Sequence, residues 1–187
     1  MTGRAIVGVE TRVVDEQGGD VPRDGQTIGE IIARSDGVME GYWKQPESTA
    51  AAIRNGWFYT GDMAVWDEEG YLLIVDRKKE IIVSGGENIS SLEIERALGA
   101  HPSVYECAVI AVPDDKWGEV PKALVVLKEN APVTEEELLA FLKERIAKFK
   151  VPKSVEFLPS LLKGGTGKIL KKELREKYWA GLAKRVH

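Results

Sequence analysis

The stretch Asp76-Arg-Lys-Lys-Glu-Ile-Ile-Val-Ser-Gly-Gly-Glu-Asn-Ile-Ser90 decides how this chain is organised. A run of charged residues enters a short apolar strand, which ends in a glycine pair and a polar turn before a helix cap. Adjacent glycines permit positive φ and let a ligand come against the backbone. We therefore predict a joint between two bodies, with a boundary near residues 78–80, and a surface that a thin ligand can approach.

The patterns on the two sides of this joint differ, and together they predict an α+β fold. Residues 1–78 predict a β-rich partial subdomain, and residues 79–187 predict a small α+β domain with a central short-stranded sheet flanked by helices. A strand-rich piece of the first length would be marginal alone, so we expect it to be part of something larger. The predicted strands cover 7–14, 29–33, 65–66, 71–75, 81–83, 104–112, 123–127 and 155–158. Asp67-Glu-Glu-Gly70 is predicted to be a hairpin turn between strands 65–66 and 71–75. The predicted helices cover 46–54, with Gly56 just past its end, 90–98, 138–146 and a last segment from about residue 171. Ser90 with Glu93 and Thr134 with Glu137 have capping-box spacing before the second and third of these helices.

Charge is distributed unevenly along the chain, whose formal net charge is −4. Residues 143–187 carry 13 Lys and Arg against 4 Asp and Glu, whereas residues 1–142 carry 13 against 26. A basic C-terminal segment indicates either an anionic partner or a solvated helical face, and composition leaves both open. The overall acidity and the lack of a recognition motif argue against nucleic-acid binding.

Cysteine, histidine and hydropathy patterns exclude several other classes. Cys107 is the single cysteine and lies in an apolar run, which predicts a packed residue and no intrachain disulfide. His101 and His187 are far apart, so we predict no metal ligands. The sequence shows neither a signal-peptide pattern nor an apolar run of about 20 residues. We therefore expect a cytoplasmic protein without an integral membrane segment.

A candidate nucleotide-binding carboxylate occurs in Thr60-Gly61-Asp62. An ionised Asp62 on a glycine turn could accept two hydrogen bonds from a ribose diol. Arg77 ends the strand that follows the next hairpin, and could lie beside Asp62. The alternatives are an ordinary turn residue and a surface ion pair of little energetic value.

Two glycine-rich segments could approach phosphate-bearing ligands. Ser84-Gly-Gly-Glu87 lacks the spacing of a dinucleotide fingerprint or a P-loop, and an ordinary loop between strand and helix is the alternative. Gly164-Gly-Thr-Gly-Lys168 fails as a P-loop because Ile169 replaces the Ser or Thr. Lys168 could still deliver a point cation to a developing phosphate or carboxylate charge, or it could be a solvated loop residue.

Aromatic side chains in loops add further candidates. Trp117 could border a ligand or cover the core. Phe149-Lys-Val-Pro-Lys153 places an aromatic residue and two lysines around a proline, an arrangement that could hold a nucleotide base and phosphates.

The order of these motifs resembles the C-terminal part of an acyl-CoA synthetase of the adenylate-forming superfamily. The resemblance covers essentially the whole chain and is specific as an ordered set. The motifs are, in order, Gly29-Glu30-Ile, Gly41-Tyr42-Trp, Pro46-Glu47-x-Thr49, Gly56-Trp57, Tyr59-x-Gly61-Asp62, Asp76-Arg77-x-Lys79, Ser84-Gly-Gly-Glu-Asn-Ile-Ser90, Glu93-Ile-Glu95, Pro113-Asp-x-x-Trp-Gly-Glu119, Pro152-Lys153 and Thr166-Gly-Lys168.

The resemblance implies an enzyme that activates a carboxylic acid, expected to be a fatty acid, with ATP and Mg²⁺, and then transfers the acyl group to coenzyme A. By similarity, Asp62 and Arg77 would bind the ribose of ATP, and Lys168 would bridge the acyl carboxylate and the α-phosphate. Lys79 matches the hinge about which the C-terminal domain would rotate. The coenzyme A contacts would be Gly85, Gly86, Glu87, Trp117, Phe149 and Lys153, and Val151 stands where some relatives carry a cation.

Several parts of the superfamily's pattern are missing from this sequence. The phosphate loop, the acyl pocket and the Thr-Glu segment that helps to hold Mg²⁺ are absent. We therefore expect residues 1–78 to be the last subdomain of a truncated AMP-binding domain, residues 79–187 to be the complete mobile domain, and the chain to be inactive alone. The acid is not identified by the sequence. The competing hypothesis is a standalone nucleotide or coenzyme A-binding module, which tight binding of coenzyme A by the isolated chain would support.

Overall fold

The computed structural model describes residues 3–180 and divides into two compact units between Lys79 and Glu80. Each unit is built around its own five-stranded sheet. Strands and helices are both present in the second unit, so the predicted α+β class is confirmed. No helix in residues 3–180 is long and apolar enough to cross a membrane.

The first unit is an antiparallel sheet organised around one long strand. Its elements are β1 (Glu10–Val14), β2 (Gly29–Arg34), α1 (Pro46–Ala52), β3 (Ile53–Arg54), β4 (Trp57–Trp66) and β5 (Leu72–Arg77). Strand β2 pairs with one edge of the long strand β4, while β3 and β5 pair with the first and second halves of its other edge. Strand β1 pairs with β2. The small core comprises Val13, Val21, Ile31, Ala64 and Trp66.

Two predictions for the first unit were wrong in detail. Helix α1 ends at Ala52 and not at residue 54, because Ile53–Arg54 pairs with β4 as a strand. Asn55 and Gly56 both have positive φ, 51° and 77°, and form the two-residue turn of that hairpin. An Asn-Gly pair strongly favours such a turn, so Gly56 serves a hairpin and does not end the helix.

The predicted turn at Thr60-Gly61-Asp62 is also wrong, because these residues lie inside β4. Gly61 has φ 73°, and the pairing of β4 with its neighbours shifts register around it. A strand that is paired on both edges can absorb turn-forming residues at a bulge, where glycine accommodates the positive φ. The predicted hairpin between β4 and β5 is confirmed.

The second unit is a mixed sheet covered on both faces. Its elements are β6 (Ile82–Ser84), β7 (Glu87–Ile89), α2 (Ser91–Gly99), β8 (Val104–Asp114), β9 (Gly118–Leu127), α3 (Glu135–Lys143), β10 (Ser154–Phe157) and α4 (Lys171–Trp179). Strand β9 pairs with β8 and β6 in the antiparallel sense and with β10 in the parallel sense. Strands β8 and β9 are both longer than predicted.

The alternation of apolar residues in β8 and β9 places helices on both faces of this sheet. Val109 and Val125 pack with residues of α2 and α3, whereas Ile110 and Leu124 pack with Leu174 of α4. Successive strand residues point to opposite faces, so a run that is apolar at every position needs a cover on each side. The sheet flanked by helices is therefore confirmed.

The caps predicted for α2 and α3 are present. The Ser90 hydroxyl accepts a hydrogen bond from the Glu93 amide at the start of α2. Thr134 and Glu137 form a reciprocal capping box at the start of α3. Helix α3 ends at Lys143, three residues earlier than predicted. Side-chain caps of this kind satisfy amides that have no partner within the helix, and their short sequence range makes them predictable.

Helix α4 is fastened to the sheet through the carboxylate of Glu156 on β10. Lys177 Nζ lies 2.8 Å from Oε1, Lys122 Nζ lies 3.4 Å from Oε2, and the Tyr178 hydroxyl donates to Oε2. The hydrogen bonds from Lys177 and Tyr178 lower the pKa of the Glu156 carboxyl from 4.5 to about 2. A carboxylate with a lowered folded-state pKa stabilises the fold at neutral pH.

We predict that Glu156→Gln lowers the free energy of unfolding by about 1 kcal/mol at pH 7. The difference from the unsubstituted chain should be complete above about pH 4.5 and should disappear as the pH falls towards about 2. Urea unfolding followed by circular dichroism at several pH values measures this difference. Glu129→Gln, on an exposed turn, is the control and should show no comparable effect. A difference that stays constant across the pH range would contradict the assignment.

Candidate functional site

Asp62 and Arg77 lie opposite each other on β4 and β5 and form an ion pair. Arg77 Nε is 2.5 Å from Asp62 Oδ1, which confirms the expectation that the two side chains are neighbours. The Asp62 side chain is 26% exposed. A carboxylate has about four acceptor positions, so Asp62 can bind Arg77 and still accept hydrogen bonds from a ligand.

The backbone beneath Asp62 is held by neighbouring polar groups. The Thr60 hydroxyl donates to the Ile31 carbonyl at 2.8 Å and accepts from the Asp62 amide at 3.1 Å. The Gly61 amide donates to Glu30 Oε1 at 3.1 Å. Neither Glu30 nor Thr60 is among the site residues that the sequence predicts. Glu30 directly precedes the apolar pair Ile31-Ile32 of β2, and a charged residue in such a strand is a signal that could have pointed to a buried carboxylate.

Lys79 is the last residue of the first unit, within a 3₁₀ turn that spans Lys78–Glu80. On its N-terminal side, Lys78 Nζ lies 2.8 Å from Glu30 Oε2. On its C-terminal side, the Glu80 carboxylate lies 3.6 Å from Arg175 NH1, and both side chains are largely buried. Lys78 and Glu80, which flank Lys79 in sequence, therefore each form an ion pair within their own unit.

Gly85 and Gly86 form the two-residue turn of a hairpin between β6 and β7, and not the ordinary strand-to-helix loop that was the alternative interpretation. Ser84 pairs with Glu87, and the two glycines have φ of 59° and 89°. Positive φ at both central positions defines the turn type that matches the twist of antiparallel strands. The sequence did not predict β7 because three polar-rich residues give little strand signal.

Trp117 packs directly against Gly85. A Cβ on Gly85 would lie 2.5 Å from an atom of the Trp117 ring, and the Gly85 amide donates to the Trp117 carbonyl at 3.0 Å. Around Gly86 no atom lies within 4 Å of the corresponding position among the residues that the structure describes. Glu87 is exposed in the same hairpin. Packing against Trp117 therefore requires glycine at position 85, whereas a side chain at position 86 would enter open space.

The Trp117 loop is itself anchored on both sides. Asp114 Oδ1 accepts from the amides of Lys116 and Trp117, each at 2.9 Å. Glu119 is buried, and its Oε1 accepts from the Val83 amide at 2.8 Å. Asp114 therefore holds the Trp117 loop, and Glu119 ties the end of that loop to the strand that leads to Gly85.

Phe149 and Lys153 flank a segment that packs on the core of the second unit. Phe149 is 53% exposed, and the side chain of Lys153 is exposed while its amide donates to the Pro121 carbonyl. Lys150 forms an ion pair with Glu93 at 2.7 Å. Val151 contributes to the core, so this position presents no charge.

Lys168 is exposed on a hairpin loop that closes through backbone hydrogen bonds. The Gly164 amide donates to the Lys168 carbonyl at 2.8 Å, and Leu170 donates to Leu162 at 2.9 Å. Within residues 3–180, no hydrogen bond or ion pair involves the Lys168 ammonium, which leaves it available to an anion. The structure brings Asp62 to Arg77 and Gly85 to Trp117. Phe149 and Lys153 share the segment between α3 and β10, and Lys168 lies on a different loop, before α4.

The helix after this loop is anchored by a buried charge cluster. Lys171 Nζ lies 2.7 Å from Glu95 Oε1 and 2.8 Å from the Ser91 hydroxyl. Burial raises the pKa of the neighbouring Cys107 thiol to about 12, so that it is a protonated packed residue and not a nucleophile. In the part of the chain that the structure describes, no group of three or more His, Cys, Asp or Glu residues could hold a metal ion.

Solved structures with the same fold are adenylate-forming enzymes. ATP-bound MatB from Rhodopseudomonas palustris superposes with a TM-score of 0.86 at 41% identity, covering 94% of this chain and 35% of that one. The o-succinylbenzoate CoA synthetase from Bacillus subtilis, in complex with its acyl-adenylate intermediate, gives 0.83 at 36% identity, covering 90% and 34%.

Residues 93–168, which lie in the second unit, match the family model of the AMP-binding enzyme C-terminal domain. The feruloyl-CoA synthase of Amycolatopsis sp is 51% identical over 150 residues, which are 80% of this chain and 30% of that protein. The trans-cinnamate:CoA ligase of Petunia hybrida is 49% identical over 156 residues, covering 83% and 27%. The resemblance found from the sequence is confirmed, and the chain spans about a third of the length of the relatives it matches.

We predict that Gly85→Ala displaces Trp117 and lowers the free energy of unfolding by about 1–3 kcal/mol, because overpacking adds to backbone strain. Urea unfolding and tryptophan fluorescence measure the two effects. Gly86→Ala is the matched control, since it has a similar φ but open space, and it should cost less. Trp117→Ala should reduce the additional cost of Gly85→Ala. Equal destabilisation by the two alanines would show that the contact with Trp117 is unimportant.

Proposed function

We propose that this chain is the C-terminal portion of an AMP-forming acid–CoA ligase. Residues 1–78 would be the last subdomain of its AMP-binding domain, and residues 79–187 its mobile C-terminal domain. The observation that carries the proposal is the 51% identity with a feruloyl-CoA synthase over 80% of the chain. Exposed apolar side chains of the first unit, including Ile6, Val7 and Trp43, are consistent with a missing N-terminal domain that would cover them.

In the first half-reaction, a carboxylate oxygen of the acid attacks the α-phosphorus of ATP, and pyrophosphate leaves. Asp62 accepts hydrogen bonds from the ribose hydroxyls, while Arg77 orients its carboxylate. The ammonium of Lys168 stabilises the negative charge that develops at the acyl carboxylate and α-phosphate. Mg²⁺ accompanies ATP and offsets charge on its phosphates, and no described residue is assigned to it.

In the second half-reaction, the sulfur of coenzyme A attacks the acyl carbonyl carbon, and AMP leaves. Rotation about Lys79 withdraws Lys168 and presents the hairpin of Gly85, Gly86 and Glu87. The open space at Gly86 suits a thin pantetheine chain, and Trp117 borders it. At the nucleotide end of coenzyme A, exposed Phe149 and Lys153 supply an aromatic face and a cation.

Two classes of acid are candidates for the substrate. A fatty acid is one candidate. Two relatives are named for feruloyl and trans-cinnamate substrates, and these names favour aryl acids of that type as a second candidate. We propose a cytoplasmic location, although the names of two relatives include the word peroxisomal.

We predict that the complete ligase forms acyl hydroxamate from ATP, its acid and hydroxylamine, and that Lys168→Ala lowers this rate by about 100-fold or more. Panels of fatty acids, ferulate and cinnamate identify the acid. Lys172→Ala, at an exposed position of α4, is the control for loss of a nearby lysine charge. The 187-residue chain alone should form no hydroxamate. A Lys168-dependent rate from that chain would overturn the assignment as an inactive portion.

We predict that Lys79→Pro in the complete ligase impairs thioester formation more than adenylation, because proline fixes φ near −65° and restricts the rotation. Pyrophosphate release measures adenylation, and transfer from the preformed acyl-adenylate to coenzyme A measures the second step. Glu68→Pro, at an exposed turn position that tolerates proline, is the control. Equal loss in both half-reactions would count against Lys79 as the pivot.

A further inference from the structure

We propose that Glu30 is a positioning residue for nucleotide binding, which holds the backbone under Asp62 and the segment after Arg77 without touching ATP. This inference rests on the function proposed above. Both oxygens of the Glu30 carboxylate are engaged within the first unit. The two partners adjoin the two members of the candidate ribose-binding pair, since Gly61 precedes Asp62 and Lys78 follows Arg77.

The Glu30 side chain is only 7% exposed, although it is charged. It lies on β2 between Gly29 and Ile31, and pairs across the sheet with Val14. Placing a carboxylate in such surroundings costs free energy unless hydrogen bonds and an opposite charge compensate it. The Gly61 amide and the Lys78 ammonium supply that compensation, at 3.1 Å and 2.8 Å.

The contact with Gly61 determines which way Asp62 points. At the bulge the ladder between β2 and β4 shifts register, and the Gly61 amide donates to the Glu30 side chain. Without that acceptor the amide would have to reorient towards water, because a buried unsatisfied amide is costly. Rotation of the Thr60–Gly61 peptide would then change the backbone path into Asp62, redirect its carboxylate and misalign it with Arg77 and with a ribose.

The contact with Lys78 fixes the other side of the same pair. Lys78 is half exposed, so its ion pair contributes little stability by itself. It nevertheless ties the backbone immediately before Lys79 to β2. One buried carboxylate therefore links the bulge that presents Asp62 with the segment that leads to the proposed pivot.

The test is a double-substitution cycle in the complete ligase, with ATP as the varied substrate. Asp62→Ala should raise the KM for ATP by about 10-fold or more, with a smaller change in kcat, because ribose contacts are made in both ground and transition states. Glu30→Ala should raise the KM for ATP about 5- to 10-fold and leave the KM for the acid unchanged. The double variant should resemble Asp62→Ala alone, because Glu30 acts through Asp62.

Two further variants separate positioning from a loss of folding. Glu30→Gln keeps an oxygen for the Gly61 amide and should restore most of the ATP affinity. Glu10→Ala removes an exposed carboxylate paired with Arg34 on the same sheet and should not change the KM for ATP. In the 187-residue chain, Glu30→Ala should shift the NMR amide resonances of Gly61 and Asp62, whereas Glu10→Ala should not.

The results distinguish the two proposals. If Asp62→Ala raises the KM for ATP but Glu30→Ala does not, or if their effects multiply in the double variant, the role of Glu30 is overturned while the ribose role of Asp62 stands. If Asp62→Ala leaves the KM unchanged, the proposed nucleotide site itself is wrong. Unshifted Gly61 and Asp62 resonances in Glu30→Ala would refute the positioning contact whatever the activity.

Discussion

A backbone amide in a strand needs another hydrogen-bond acceptor when no carbonyl of a neighbouring strand accepts from it. In this protein, glutamate carboxylates are that acceptor at four strand positions, two of which adjoin the candidate site residues. Glu30 accepts from Gly61 at the bulge in β4, and Glu119 accepts from Val83 in β6. Two helices use the same device. Glu95 of α2 accepts from Val109 of β8 at 2.6 Å, and Glu135 of α3 accepts from Val155 of β10 at 2.7 Å. Because an unsatisfied buried amide is costly, each carboxylate fixes the position of the element that carries it.

The candidate site residues lie next to these hydrogen bonds of the glutamate carboxylates. Asp62 follows the Gly61 amide, and the Gly85–Trp117 contact adjoins the bond between Val83 and Glu119. Lys171, which ion-pairs with Glu95, begins the helix after the Lys168 loop. Ligand-binding groups need a rigid support, because a small displacement of a polar contact loses most of its energy. The carboxylates supply that support in both units, and Lys168 itself stays exposed on its loop.

Local signals were sufficient for much of the fold. The caps at Ser90 and Thr134 and the turn before β5 depend on residues within four positions of each other, and they were predicted correctly. The failures occurred where tertiary pairing overrode a local preference. Local sequence predicts a turn at Gly61 because glycine usually marks one, but pairing on both edges of β4 keeps this residue in the strand. It likewise predicts that Gly56 follows a helix end, although Asn55-Gly56 closes a hairpin.

Composition and spacing along the chain were enough to predict the α+β class and, through the order of the motifs, the resemblance to the adenylate-forming superfamily. It also indicated that Arg77 could meet Asp62, since a hairpin brings their strands together. Two features became visible only in the folded sheets: position 85 must be glycine because the Trp117 ring packs against it, and Glu30 binds both Gly61 and Lys78. These partners are 31 to 48 residues apart in sequence, and no local pattern specifies which side chain meets an amide across a folded sheet.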